Sequence, residues 1–286
     1  MADRKLIVPS EQFNAVVQKL RSFFLSKGFV EAHPQNRLSI LAACEDPKTV
    51  ATFNYPNPST GVEEVWPLPQ TGQMWLEYEL LTNPTVPGYF CCSTSYRNEP
   101  KPVDGRHMTI FPLFEFEMKG DMNALMELET ELLLYLGYQN VGINRVDYDD
   151  AASGYGVKEL DNDHEEKLYQ DFGPAVLLKN FPNHTDPFWN MKQHPSGSHA
   201  YKVDVICSGQ ETIGSAERSC SATEMRRMFD EICDGGYKQL LYNKFGKDRV
   251  EAEMDEFLSY DFIPRSGGGI GVTRLIRSMQ LEGLIP

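Results

Sequence analysis

The chain has 286 residues, 41% of them hydrophobic, and a formal net charge of −14 at pH 7. That balance excludes broad electrostatic adhesion to DNA or to an anionic membrane, although it leaves room for a local cationic pocket. With no long apolar run, no signal-peptide core behind MADRKLIVPSEQ and no CxxC among its cysteines, the chain reads as a cytoplasmic protein with reduced, structural thiols.

In chain order, Ser10 can cap a helix over residues 10–27, with Phe13, Val16, Val17, Leu20, Phe23 and Phe24 at helical spacing and Gly28 to end it. FVEAHP reads as a short strand stopped by Pro34. Residues 66–81 read as a strand and a helix that finishes in QTGQMWLEYELL. YFCCSTSYR and TIFPLFEFEM read as strands on either side of a cationic, proline-broken loop. A helix over 122–136 carries the apolar stripe Leu125, Met126, Leu128, Leu132 and Leu133. Residues 148–198 alternate short helical and irregular pieces. AYKVDVICSG is a strand, SATEMRRMFDEI is a helix, and 248–256 is an exposed acidic helix. SGGGIGVTRLIRSM is a glycine turn into a helix. Regular strand–helix–strand repeats are absent and no linker divides the chain, so one α+β domain over 1–286, an antiparallel sheet flanked by helices, is expected.

Common motifs fail on inspection. Gly267, Gly268, Gly269 and Gly271 do not make GxGxxG, and Gly246-Lys247 is followed by Asp248, so neither a dinucleotide fold nor a P-loop is indicated. His164-Glu165-Glu166-Lys167-Leu168 lacks the second histidine of HExxH and reads as a solvated helix face. What remains is a glycine segment that brings backbone close to a ligand just before Arg274. Beside it stands SYRNEPKPVDGRHMTIFPLFEFE. Arg97 can grip a phosphate or carboxylate bidentately, Arg106 and His107 add donors, and Phe111 offers a face for a purine. Asp204 and Glu211 can share a divalent cation, since Mg²⁺ prefers oxygen ligands and arrives with nucleotide phosphates.

Taken in order, these pieces resemble the catalytic core of class II aminoacyl-tRNA synthetases, aspartyl/asparaginyl branch. Arg97-Asn98-Glu99, Arg106-His107, Phe111 and Glu115 are similar to that class's second motif, GGGIGVTRL with Arg274 to its third, and KLRSFFLSKGFVEAHP to its first. The spacing of Asp204, Glu211 and Arg218, and the segments YGVKELDNDHEEKLYQDFG and FPNHTDPFWNMK, extend the likeness along nearly the whole chain. The branch's anticodon-binding barrel has no counterpart ahead of the first motif, which argues against tRNA as a partner.

The resemblance implies ATP as substrate and Mg²⁺ as cofactor. Arg97 would meet the α-phosphate and the amino-acid carboxylate. Glu99 would hold adenine, and Phe111 would stack on it. Arg106, His107 and Arg274 would meet the outer phosphates, with Gly271 beside them, and Asp204 and Glu211 would hold the metal. Gln73 and Arg218 would bind the amino acid. Leu76 and Glu77 follow Gln73 as in asparaginyl enzymes, whereas Thr273 stands where tRNA-charging members have an acid and ammonia-dependent asparagine synthetases have a small hydroxyl residue. A carboxylate at Glu77 about 4 Å from an aspartate side chain would cost roughly 4 kcal/mol at an effective dielectric of about 20. Three functions follow. The first, and the one the sequence favours, is ammonia-dependent asparagine synthesis through an aspartyl-adenylate. The second is an adenylating paralogue that passes asparagine or an analogue to another amine, protein or RNA. The third is a non-catalytic regulatory paralogue. A homodimer is expected because the first motif would otherwise expose phenylalanine and valine surface.

Overall fold

The computed structural model describes residues 8–34, 37–57, 59–100, 108–138 and 142–286. The helically spaced Val16, Val17, Leu20, Phe23 and Phe24 form α1 (Ser10–Ser26) and are all buried. Ser10 is its first residue, not its cap: Pro9, with φ of −58°, takes the cap position and no side chain bonds the helix start. Gly28, at φ of +81°, turns the chain out of it into β1 (Val30–Glu31). Such a φ suits glycine, which lacks the Cβ that would clash there.

A hairpin of β2 (Thr52–Pro56) and β3 (Glu63–Pro67) leads to α2 (Gln73–Thr82), then to β4 (Gly88–Tyr96), β5 (Ile110–Lys119) and α3 (Met122–Leu136). Asp121 caps α3 by accepting from the Ala124 amide, and Gly137 ends it in the left-handed region. β6 (Asn144–Asp147), α4 (Tyr148–Tyr155) and α5 (Asn162–Phe172) follow. β7 (Ala175–Pro182) then lies where short helical and irregular pieces were expected. Its AVLLKNFP run carries no alternation because Ala175, Val176, Leu177 and Leu178 are buried on both faces. β8 (His199–Cys207) and β9 (Gln210–Glu217) form a hairpin. α6 (Ala222–Glu231), α7 (Gly236–Phe245) and α8 (Lys247–Leu258) pack together before β10 (Arg265–Gly271) and α9 (Val272–Leu281).

The main sheet has the order β1-β4-β5-β10-β9-β8-β7-β6. Its two outermost pairs, β1–β4 and β6–β7, are parallel and the rest antiparallel, which bears out the α+β expectation. On one face α1, α3 and α9 build a core with Phe90, Phe114, Phe116, Val203, Val205, Ile213 and Ile270. Strand alternation sends Phe111, Leu113, Glu115 and Glu117 of β5 to the other face. A second core of Ile40–Cys44, Trp75, Trp189 and α6–α8 stands beside that face.

Three local expectations change. The glycine segment is not a turn but the central strand β10, paired along β5 on one side and β9 on the other. A Cβ on Gly268 would stand 2.5 Å from the Gly214 carbonyl oxygen, and one on Gly267 would collide with Phe116 and Glu117. The 248–256 helix is solvated on one side only: Val250, Met254 and Phe257 are buried, and Glu253 accepts from the amides of Ile40 and Leu41. His164 is also buried, closing a capping box with Asp161 at the start of α5. The ground for a homodimer narrows as well. Phe23 and Phe24 pack inside this chain, leaving Leu25 and Val30 as the exposed large hydrophobic side chains of that segment. Among the described residues no helix is long and apolar enough to cross a membrane, and the six cysteines are free thiols.

Candidate active site

The register of β10 against β5 sets Gly269 opposite Glu115 and Gly267 opposite Glu117. Two acids therefore stand against two residues without side chains, and the first pair, Gly269 and Glu115, lines a cavity of about 420 Å³. Gln73, Glu77, Arg97, Glu99, Phe111, Glu211, Arg218, Gly271 and Arg274 all line it, as does Thr273. Nine site residues named from the sequence, on segments about two hundred residues apart, thus meet on one wall. Arg106 and His107 lie outside the described residues. Asp204 borders a smaller adjoining cavity of about 170 Å³, which shares Lys202 and Glu211 with the main one.

At one end of the main cavity Arg97 extends from the end of β4, paired with Glu45 and set 5.9 Å from the centroid of Phe111. Glu45 holds the Arg97 guanidinium firmly protonated. Arg274, in the first turn of α9, donates to the Glu211 carbonyl at 2.6 Å. Glu115 also lines the cavity, but its carboxylate is held by the protein. Fully buried, it accepts from the Gly72 amide at 2.8 Å and from the hydroxyls of Thr71 and Ser93. It thereby fixes the turn that presents Gln73. Burial raises its carboxyl, and those donors pull against the shift.

The other end is a network of buried charge. Arg265 donates to Glu77 through Nε at 3.0 Å, and both side chains are fully buried. Asn190 donates to the second Glu77 oxygen at 2.7 Å. Arg218 stands 3.3 Å from Glu117, donates to the Gly267 carbonyl at 3.0 Å and lies 3.9 Å from Glu77. Gln73 donates to Glu117 at 2.5 Å and to the Phe116 carbonyl at 2.8 Å. Burial works against the Arg218 charge, but Glu117 and Glu77 outweigh it. Two carboxylates thus face two guanidinium groups. Sequence reasoning missed Glu117, Asn190 and Arg265. The signal for Arg265 was an arginine opening a central glycine strand, where a buried cation requires a buried acid.

The sequence model of class II tRNA synthetases (D, K and N) matches residues 10–284. The chain belongs to this family. Its curated relatives in the family include the aspartate–tRNA(Asp) ligase of Pyrobaculum aerophilum, 24% identical over 93% of this chain and 62% of the relative. The asparagine–tRNA ligase of Pyrococcus abyssi is 23% identical over 91% of this chain and 62% of its own length. The chain therefore spans about three fifths of these relatives. The fold is that of asparaginyl-tRNA synthetase from Pyrococcus horikoshii, solved with asparaginyl-adenylate, at a TM-score of 0.76, 22% identity, and 94% and 64% coverage. The Entamoeba histolytica asparaginyl-tRNA synthetase, also with asparaginyl-adenylate, gives 0.71 at 18% identity over 96% of this chain and 63% of its own.

Magnesium on the Asp204–Glu211 pair of this class II family member fits poorly. Asp204 Oδ1 is buried without a hydrogen-bond partner among the described residues, which suits a ligand. Its Oδ2, however, is held by the Lys202 ammonium at 2.6 Å. No group of three or more His, Cys, Asp or Glu side chains able to hold a metal occurs among the described residues.

Proposed function

We propose that the chain uses ATP to activate an amino acid with an uncharged amide side chain, asparagine or a close analogue, as an aminoacyl-adenylate. The observation that carries this is the buried quartet: Glu77 is paired with Arg265, and Glu117 with Arg218. No guanidinium there is left over for a substrate carboxylate. An amide can accept from Arg218 and donate to Glu77 or Glu117, matching both partners without adding charge. The pairing also answers the repulsion argument: Glu77 does face the cavity, but Arg265 offsets its charge.

In the reaction an oxygen of the amino-acid carboxylate bonds to the α-phosphorus, and the bond to the bridging oxygen breaks to release pyrophosphate. Arg97 neutralises charge at the α-phosphate, while Arg274 meets the outer phosphates and Phe111 stacks on the base. The step needs positioning and charge neutralisation rather than a nucleophilic side chain. A non-catalytic paralogue is disfavoured because Arg97, Glu99, Phe111, Glu211 and Arg274 all converge on one cavity. Ammonia-dependent asparagine synthesis stands as the second reading, favoured by Thr273, which adds no carboxylate to the wall.

Amino-acid-dependent ATP–pyrophosphate exchange tests this. Exchange with asparagine and not aspartate is expected. Exchange with aspartate, together with ammonium-stimulated AMP release, would replace it by the second reading. No exchange with either would remove both.

A further inference from the structure

Asp204 and Lys202 are two residues apart on β8, so both side chains leave the same face of the sheet. Opposite Asp204 on β9 stands Gly214. A Cβ there would lie 2.9 Å from Glu211 Oε1 and 3.7 Å from Asp204 Oδ1, so the two carboxylates converge over the missing side chain. Into this acidic corner Lys202 brings its Nζ, 2.6 Å from Asp204 Oδ2 and 3.8 Å from the centroid of the Phe181 ring. The aromatic face fixes the ammonium from the side of β7. Lys202 lines both cavities, whereas Asp204 lines only the smaller.

We propose that Lys202 is a built-in cation that occupies Asp204 and takes the place of a divalent ion held by the protein at the Asp204–Glu211 pair. The site then presents a fixed positive charge to an anionic ligand, and any divalent ion must enter with that ligand. The anionic ligand being a nucleotide rests on the reading above; the competition between lysine and metal does not. A fixed ammonium beside two carboxylates repels a second cation and removes one of its oxygen ligands.

The test is Mn²⁺ titration of the nucleotide-free full chain, followed by electron paramagnetic resonance. Wild type is expected to show no Mn²⁺ site that Asp204→Asn removes. Lys202→Met should bind Mn²⁺ about tenfold or more tightly, and adding Asp204→Asn should abolish the gain, while Lys202→Arg should behave as wild type. A tight wild-type site lost in Asp204→Asn would overturn the proposal, and so would a folded Lys202→Met chain with no gain. Should Lys202→Met not fold, as judged by circular dichroism, the wild-type and Asp204→Asn pair decides alone. No amino acid or turnover enters this measurement, so failed ATP–pyrophosphate exchange would count against the activation reading and leave this one standing.

Discussion

Arg265 and Glu77 are each untenable alone at full burial. An isolated ion in a low-dielectric interior loses several kcal/mol of hydration, and its partner restores most of that. Arg265→Met should therefore destabilise the chain by about 3–5 kcal/mol, measured by urea denaturation, because Glu77 is left with Asn190 and a distant Arg218. The double variant Arg265→Met/Glu77→Leu should recover most of that loss. An additive double variant would mean that the two side chains do not form one unit. The same reasoning separates Glu115 from Glu77: both are buried acids on the cavity wall, yet one is satisfied by a nearby amide and hydroxyls and positions a turn, while the other is held by a buried arginine.

At the level of the element, β10 is a strand whose close packing requires glycine at Gly267 and Gly268. Gly268→Ala would drive a Cβ against Ser215 and the Gly214 carbonyl in the middle of the sheet. It should cost about 2 kcal/mol or more, read as a lower melting temperature. Gly269 differs, since its Cβ would have 3.6 Å to the nearest atom, on Glu115. Gly269→Ala should fold with a stability change of under about 1 kcal/mol, but it should weaken ATP binding in calorimetry because the methyl group enters the cavity. Equal destabilisation by the two variants would contradict this division of the strand into structural and site-forming glycines.

For the molecule as a whole, buried acids give stability a pH slope. Glu129 on α3 is fully buried between that helix and the sheet, and burial pushes its carboxyl from 4.5 up to about 8, with Ser215 opposing and Asp204 adding to the shift. The Arg145 charge also opposes it. The folded chain keeps a proton that the unfolded chain has released, so this group's contribution falls as pH rises from about 4.5 to about 8 and is flat above. Glu129→Gln should remove up to about 1.4 kcal/mol per pH unit of that slope. Glu115 and Glu117 are raised in the same direction, so a residual slope remains. Urea midpoints of wild type and variant at several pH values check this. Parallel profiles would show that Glu129 is not the titrating group.

Periodicity and motif spacing by themselves determined α1, α3, the β4 and β5 strands, the family likeness and a set of polar residues on the cavity wall. These depend on side chains close in sequence, or on a pattern whose spacing survives without coordinates. Tertiary structure alone decided the rest. That SGGGIGV is a strand follows from the close approach of β5 and β9, which no local propensity encodes and which glycine's poor strand preference hides. That β7 is a strand follows from burial on both faces, which erases alternation. That Glu77 is neutralised by Arg265, 188 residues away, depends on which charges the fold brings together. Pairing over such distances is a property of the fold, because a charge's partner is chosen by space and not by sequence.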